Sequence, residues 1–88
     1  MQVAFSSSFK KSFRKRISKI PPLEKRFWRK TELFIENPFE RELRTHKLSG
    51  TLDGLWGFSV DYDCRVIFYF SEERKAIFID IGKHDEVY

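Results

Sequence analysis

The apolar residues of the chain change their spacing once, between positions 37 and 56, and this change constrains the fold more than any other feature. Before it they recur every three or four residues, and after it they alternate along the chain. The first spacing lines one face of a helix, and the second lines one face of a half-buried strand. Helices followed by strands that are joined by tight turns argue for an α+β fold, with two N-terminal helices packed on one face of a small antiparallel sheet.

Two helices are predicted in the first half. Residues Ser6–Ser8 supply an N-cap for the first helix, which ends at Pro21-Pro22. Pro22 can also open the second helix, because proline is tolerated in a first helical turn. The second helix ends at Asn37-Pro38, since the residue before a proline avoids the helical region. The two form a hairpin with one apolar side, followed by a polar connection from Glu40 to Gly54.

Three strands are predicted in the second half, together with a short edge strand before the first helix. The predicted strands are Gln2–Phe5, Trp56–Tyr62, Cys64–Phe70 and Ala76–Gly82. Strand alternation predicts a helix-facing side made of Phe58, Val60, Val66, Phe68, Ile77 and Ile79. The opposite side would then carry Ser59, Asp61, Arg65, Tyr69, Asp80 and His84.

The length of 88 residues predicts one domain, residues 1–88, whose 17% aromatic content compensates for its small size. The single cysteine, Cys64, lies in an apolar strand and is expected to be a buried structural thiol in a reducing cytoplasm. No apolar stretch approaches the roughly 20 residues needed to cross a bilayer. The first twenty residues are too highly charged for a signal peptide. We therefore expect a soluble, cytoplasmic protein without a membrane partner.

Positive charge is concentrated in the first half of the chain. Residues 1–47 carry a net charge of +8 and residues 48–88 a net charge of −4, which together give the total of +4. This asymmetry favours a polyanion or an acidic protein as the partner, although solvated helix faces also carry many lysines and arginines.

Two residues near the predicted strands are candidates for chemistry. Arg65 lies in an otherwise apolar run, so it either reaches the uncovered face or pairs with Asp61, Asp63 or Asp80. We favour both at once, with a carboxylate that orients the guanidinium. His84 follows the last strand, where it is either a surface histidine near the chain end or part of a site. The turn Asp61-Tyr62-Asp63 has a plain structural explanation as well, because aspartate is common in turns for backbone reasons.

Three segments of the chain are informative about its family when their order and spacing are considered together. They are His46-Lys47-Leu48-Ser49-Gly50, Cys64-Arg65-Val66-Ile67-Phe68-Tyr69 and Gly82-Lys83-His84-Asp85-Glu86-Val87-Tyr88. With the two basic helices, they resemble the RelE/ParE superfamily, and within it the YafQ-like branch of mRNA interferases from type II toxin–antitoxin pairs. The resemblance covers essentially the whole chain. It implies a microbial RNase-like fold with a four-stranded antiparallel sheet.

The resemblance also implies roles for individual residues. Arg65 would contact the scissile phosphate, His84 would act as general acid, and Tyr88 would help to orient the nucleotide. His46 would position RNA or transfer a proton. YafQ-like proteins carry a histidine and an aspartate around the first sheet turn, whereas this chain offers Asp61 and Asp63 but no histidine there. The identity of the general base is therefore open.

These residue types suit RNA cleavage without a metal. Histidine can serve as acid or base, because its ordinary pKa of about 6.5 lies near working pH. The planar fork of arginine can donate two parallel hydrogen bonds to phosphate oxygens. No zinc-type spacing, phosphate loop or dinucleotide fingerprint occurs in the sequence, so we expect no metal and no cofactor.

The function implied by the resemblance is ribosome-dependent cleavage of mRNA in the A site, inhibited by a cognate antitoxin. The expected binding surface for ribosome and mRNA consists of Lys10, Lys11, Arg14, Lys15, Lys47 and Lys83. The alternative is a ParE-like inhibitor of DNA gyrase without nuclease activity, and a third possibility is a decayed site that only binds an antitoxin. Two histidines near the expected site favour the nuclease, because gyrase inhibition needs no proton donor.

Overall fold

A computed structural model describes all residues from Met1 to Tyr88 as an α+β fold with a five-stranded sheet. The strands are β1 (Gln2–Phe5), β2 (His46–Lys47), β3 (Trp56–Asp61), β4 (Cys64–Glu72) and β5 (Lys75–Lys83). The helices are α1 (Ser7–Arg16), α2 (Pro21–Glu36) and the short α3 (His84–Val87), and two 3₁₀ turns cover Arg41–Leu43 and Gly50–Leu52. The helix-then-strand order predicted from the sequence is confirmed.

Three of the four ends of the two long helices follow local sequence signals. The predicted end of the first helix at Pro21-Pro22 is wrong, because α1 already ends at Arg16 and turn residues lead from there to the prolines. The hydroxyl of Ser6 accepts a hydrogen bond from the backbone N–H of Phe9, so it caps the first turn of α1. Pro21 occupies the first position of α2, where its missing N–H costs no hydrogen bond. Asn37, the residue before Pro38, has extended backbone angles and ends α2.

The sheet has the strand order β1-β5-β4-β3-β2. Strands β2 to β5 pair antiparallel, as expected for this fold class. The edge strand β1 pairs parallel with β5, so the complete sheet is mixed rather than purely antiparallel. A strand β2 also forms at His46–Lys47, within the segment that the sequence indicated only as a connection. No helix in the structure combines the length and the apolar character needed to cross a membrane.

The core between the helices and the sheet is built mainly from phenylalanine. Phe78 on β5 lies at its centre and is fully buried. Its ring lies 5.3–6.4 Å, centroid to centroid, from the rings of Phe5, Phe9, Phe27, Phe34, Phe58 and Phe68. Because these six rings come from β1, α1, α2, β3 and β4, one side chain of β5 contacts every major layer of the fold.

The face predicted for β5 is wrong, although the faces predicted for β3 and β4 are correct. Ala76, Phe78 and Ile81 are buried in the core, whereas Ile77 and Ile79 are not among its buried residues. The register places Ile67 opposite Asp80 and Phe68 opposite Phe78, so Ile79 is an extra residue in a β-bulge. Nearly every residue from 76 to 81 is apolar, and alternation alone could not reveal which set faces inward.

The last strand ends one residue before His84. His84 begins α3, so strand alternation does not determine its direction, and the prediction that it shares a face with Asp80 by alternation is wrong. The turn at Tyr62–Asp63, which joins β3 to β4, and the C-terminal end of β5 lie next to each other, because Cys64 pairs with Lys83. This end of the sheet carries the candidate site.

The central position of Phe78 leads to a prediction about stability. Replacing Phe78 with alanine should lower the free energy of unfolding by about 3–5 kcal/mol, because the change removes a large buried ring and leaves a cavity. Tyr62→Ala is the matched control, since the Tyr62 side chain is almost fully exposed, and it should change stability by less than about 0.5 kcal/mol. Urea denaturation measures both. Equal effects of the two substitutions would contradict this description of the core.

Candidate active site

A polar groove of about 740 Å³ lies where the β3–β4 turn meets α2, the first 3₁₀ turn and the start of α3. We refer to it as the polar groove. Its walls are formed by Lys30, Arg41, Glu42, Arg44, Ser59, Asp61, Tyr62, Asp63, Arg65 and His84. Four of the predicted site residues, Arg65, His84, Asp61 and Asp63, are thus brought together. Four cationic side chains and three carboxylates give the groove a charge balance suited to an anionic ligand.

The backbone pairing of three strands explains why Arg65 and His84 meet. Arg65 near the start of β4 pairs with Ser59 on β3 and with Gly82 on β5. His84 follows Gly82 by two residues, just beyond the end of the strand. The two side chains are nineteen positions apart in sequence, but the sheet register places them along one groove.

The guanidinium of Arg65 is oriented by the β3–β4 turn. Its Nη1 donates to the backbone oxygens of Asp61 and Tyr62, both at 3.0 Å, and more weakly to that of Cys64 at 3.4 Å. The prediction that a carboxylate orients this guanidinium is wrong, because the turn carbonyls do so. These bonds use only one nitrogen of the fork, so the N–H groups on Nε and Nη2 are left for a ligand.

The two turn aspartates differ in their surroundings. The Asp61 carboxylate pairs with Arg26 at 2.8 Å and accepts a hydrogen bond from the backbone N–H of Asp63 at 3.0 Å. Asp61 therefore has a structural role in the turn and in anchoring it to α2. Asp63 is exposed and also lines the groove. Asp80, the remaining partner suggested for Arg65, pairs with Arg16 instead.

The rings of His84 and Tyr88 are in contact at the end of the groove. His84 is exposed and lies edge-on to Tyr88, with 4.6 Å between the ring centroids. The Tyr88 phenol packs over Gly57, where a β-carbon would lie only 2.8 Å from its oxygen. Partial burial raises the pKa of the Tyr88 phenol, while the nearby charge of Arg65 acts in the opposite direction. The phenol is therefore protonated at neutral pH and can donate a hydrogen bond.

His46 and Tyr88 line a second groove, together with Lys47 and residues 48–52. His46 pairs with Gly57 on β3, the residue beneath the Tyr88 phenol. Its Nδ1 lies 2.9 Å from the backbone oxygen of Arg44. Because a carbonyl oxygen can only accept, Nδ1 carries a proton, and the neutral ring keeps its lone pair on Nε2. The geometry thus prepares His46 to accept a proton at Nε2.

The six residues of the predicted RNA-binding surface are divided among several places. Lys15 and Lys83 line a groove that shares Asp61 and Asp63 with the polar groove. Lys47 lies beside His46 and 5.6 Å above the ring of Trp56. Lys10 and Arg14 border an apolar cleft between α1 and α2, and Lys11 is exposed on α1. Only Lys15, Lys47 and Lys83 therefore lie along the grooves that hold the other candidate residues.

Sequence reasoning assigned no role in the site to several residues that line the polar groove, among them Arg41, Arg44 and Ser59. Arg41 and Arg44 belong to the connection before the sheet, whose residues have no apolar period that would place them on one face. Ser59 was placed on the correct side of β3 by alternation, and only its neighbours show that this position lies in the groove. No group of three or more His, Cys, Asp and Glu side chains is arranged to hold a metal ion.

Sequence comparison and structural comparison give different results for this chain. No protein-family model and no curated protein matches its sequence. Its structure, in contrast, matches YafQ from E. coli strain BL21(DE3) with a TM-score of 0.82 at 18% identity, covering 99% of this chain and 97% of that one. YafQ in the E. coli DinJ-YafQ toxin–antitoxin complex gives 0.79 at 18% identity, covering 99% and 96%.

A third similar structure extends the match beyond YafQ. The YoeB/ParE toxin from Agrobacterium tumefaciens matches with a TM-score of 0.78 at 14% identity, covering 96% of this chain and 99% of that one. The chain has the fold of the RelE/ParE toxins. The resemblance that the sequence indicated is thereby confirmed at the level of the fold.

In this RelE/ParE fold, Cys64 lies at the start of β4, directly before Arg65, but it is not suited to nucleophilic chemistry. Its side chain is buried, in agreement with the prediction from the sequence. Burial, reinforced by the negative charge of Asp61, raises the pKa of the thiol to about 12. The thiolate is the reactive form of cysteine, so the folded protein presents almost none of it near neutral pH.

The burial of Cys64 leads to a prediction about thiol reactivity. At pH 8 the folded protein should react with iodoacetamide at least tenfold more slowly than the urea-unfolded chain, whose thiol has an ordinary pKa of about 8.5. Raising the pH from 8 to 9 should increase the rate about threefold for the unfolded chain and about tenfold for the folded protein, because only the folded thiol is still far below its pKa of about 12. The folded protein should remain the slower of the two at both pH values. Mass spectrometry of time-quenched samples measures both rates. Comparable rates for the folded and unfolded chains would contradict the burial of this thiol.

Proposed function

We propose that this protein is the toxin of a type II toxin–antitoxin pair and acts as an endoribonuclease on mRNA in the ribosomal A site. The observation that carries the proposal is the presence of Arg65 and His84 in one polar groove, with two N–H positions of the Arg65 guanidinium left for a ligand. A phosphate-binding fork and a group that can donate a proton are two of the three components that metal-free RNA cleavage needs. The fold shared with YafQ and the YoeB/ParE toxin supports the same assignment.

Arg65 would stabilise the negative charge that develops on the scissile phosphate. Its Nη1 is held by turn carbonyls, while Nε and Nη2 remain for two phosphate oxygens. Because the guanidinium is oriented before the substrate arrives, it need not reorganise as charge develops, which is the main advantage of a preorganised site. Loss of the fork would therefore affect the transition state more than the folded structure.

His84 would act as the general acid. In the proposed reaction a base removes the proton of the 2′-hydroxyl, and the 2′-oxygen then attacks phosphorus. The bond from phosphorus to the 5′-oxygen breaks, and protonated His84 gives its proton to that leaving oxygen. The products are a 2′,3′-cyclic phosphate and a free 5′-hydroxyl. The exposure of His84 on the groove allows contact with a bound strand.

Among the candidates for the general base, the hydrogen bonds favour His46. Its neutral ring has an available lone pair on Nε2, because Nδ1 donates to the Arg44 carbonyl. The Asp61 carboxylate is already engaged by Arg26 and by a turn amide, so its oxygens are less available to a 2′-hydroxyl. Asp63, the other carboxylate of the turn, is the second candidate for the general base. Tyr88, between His84 and the His46 groove, would orient the nucleotide.

Binding to ribosome and mRNA would rest on the cations in the His46 groove and in the groove that shares Asp61 and Asp63 with the polar groove. Lys15, Lys47 and Lys83 are the members of the predicted surface that lie along the grooves. Lysine contacts with phosphate are strong, depend on salt and tolerate many sequences. Lys10, Lys11 and Arg14 lie elsewhere on α1 and would contact more distant parts of a large RNA.

The proposed protein partner is a cognate antitoxin. YafQ has been crystallised in a complex with DinJ, its antitoxin. The basic first half of the present chain would suit a partner that carries acidic side chains. We place the proposed activity in the cytoplasm, where translating ribosomes are found.

The nuclease proposal predicts the behaviour of two substitutions in a translating cell-free extract that contains a defined message. His84→Ala and Arg65→Ala should each lower the rate of mRNA cleavage by about a hundredfold or more, because each removes a group that acts in the transition state. Primer extension maps the cleavage positions. Cleavage by the wild type should occur inside translated codons and should require ribosomes.

The control for these substitutions is Arg74→Asn, in the β4–β5 turn at the other end of the sheet. Arg74 has a positive φ of 65°, which asparagine tolerates well. This variant loses one arginine, as Arg65→Ala does, but should cleave at the wild-type rate. Full activity of both His84→Ala and Arg65→Ala would refute the assignment of the site. Intact mRNA with the wild type, combined with inhibition of DNA supercoiling by gyrase, would support the ParE-like alternative instead.

A further inference from the structure

The helix that carries His84 is too short to hold its own position. Helix α3 has four residues, and none of them is buried. An isolated helical turn is unstable in water, because the first turn orders several residues for a single hydrogen bond. The orientation of His84 toward the polar groove must therefore depend on contacts between α3 and the rest of the protein.

The first such contact is a cap made by Glu86. Its Oε1 accepts a hydrogen bond from the backbone N–H of Lys83 at 2.6 Å, immediately before the helix. An acidic side chain in this position satisfies an amide that has no partner within the helix and sets the angle at which the chain enters the turn. The cap thus acts on the residue that directly precedes His84.

The second contact is made by Arg16, the last residue of α1. Its Nη1 donates to the backbone oxygen of Ile81 at 3.1 Å and to the carboxylate of Asp80 at 3.3 Å. Its Nε lies 3.6 Å from Oε2 of Glu86. One guanidinium therefore connects α1, the end of β5 and α3. The Arg16 side chain is about three-quarters covered.

Glycine at position 82 allows this arrangement. A β-carbon at Gly82 would lie 2.9 Å from Nη1 of Arg16 and 2.9 Å from Oε1 of Glu86. Both distances are shorter than van der Waals contact permits. Any larger residue would thus displace the arginine, the carboxylate or both. The two side chains cross the strand at the position that pairs with Arg65.

We propose that Arg16 and Glu86 are positioning residues that hold His84 in the polar groove by fixing α3 to the end of β5. This inference rests on the proposed role of His84 as general acid. Both residues line the neighbouring groove that also contains Lys15 and Lys83, but neither lines the polar groove that holds Arg65 and His84. They would therefore act on the reaction through His84 and not by touching the reacting atoms. Because the pair is partly exposed, it adds little to the stability of the whole fold. Its effect is local to α3.

The test uses the nuclear Overhauser effect between the rings of His84 and Tyr88, which are 4.6 Å apart in the structure. Glu86→Ala should weaken this signal to less than about half of its wild-type intensity, because the distance increases when the cap is lost. The same variant should lower kcat for mRNA cleavage by about tenfold to a hundredfold, since misplacing a catalytic group by about 1 Å has effects of that size. KM should change much less. Gly82→Ala should likewise weaken the ring–ring signal and lower kcat, because its β-carbon would displace Arg16 or Glu86.

Two further variants separate positioning from a general loss of structure. Asp85→Ala removes a neighbouring exposed carboxylate of α3 that takes part in no ion pair of the structure, and it should leave both measurements unchanged. Glu86→Gln keeps an oxygen that can accept from the Lys83 amide, and it should restore most of the ring–ring signal. Amide spectra of the remaining residues verify that each variant is folded.

The outcomes distinguish this proposal from the proposed function. A folded Glu86→Ala variant that keeps the wild-type ring–ring signal and cleavage rate would overturn the positioning role. An Asp85→Ala variant whose signal and rate fall as far as those of Glu86→Ala would overturn it as well. A Glu86→Gln variant whose ring–ring signal is no stronger than that of Glu86→Ala would also overturn the positioning role. If the wild type cleaves no mRNA, the nuclease proposal fails, whereas the ring–ring signal still decides whether Glu86 holds His84.

Discussion

The packing of Phe78 among six other phenylalanine rings is the interaction on which the rest of the structure depends. This residue lies in the middle of β5, the strand that pairs with β1 on one side and β4 on the other. Fixing β5 against both helices also fixes the position at which it ends. The site is built at that end, so the aromatic core determines where the functional groups lie although none of its rings enters the polar groove.

Arg65 illustrates how a cation can be placed near a hydrophobic core at little cost. A carboxylate partner would have neutralised the guanidinium and reduced its attraction for phosphate. Backbone carbonyls of the β3–β4 turn satisfy one nitrogen without supplying a full negative charge. The nearby carboxylate of Asp61 is held by Arg26 from α2. The positive charge of Arg65 therefore remains available for an anion, as the proposed phosphate contact requires.

Several charged residues of the helices have structural partners. Arg16 connects α1 to the end of β5 and to α3, and Arg26 holds the β3–β4 turn. The Glu42 carboxylate forms ion pairs with both Arg29 and Lys30. These contacts lower the pKa of the Glu42 carboxyl, and the contact with Glu42 raises the pKa of Arg29. The net charge of the first half therefore overstates the cationic surface that is open to RNA. The remaining lysines beside the grooves carry more of the proposed binding.

Local signals in the sequence were sufficient to predict the two long helices, three of their four ends, strands β1, β3, β4 and β5, and the inward faces of β3 and β4, because apolar period, serine capping and proline act over a few residues. They did not predict β2, α3 or the early end of α1. The sequence also indicated Arg65, His84, His46 and Tyr88 as site residues through the resemblance to the RelE/ParE toxins. Only the tertiary structure decided the inward face of β5, since a bulge at Ile79 in a nearly continuous apolar run leaves no readable alternation. It also decided the partners of Arg65 and Arg16, because ion pairs and turn contacts join residues that are distant in sequence and obey no periodicity.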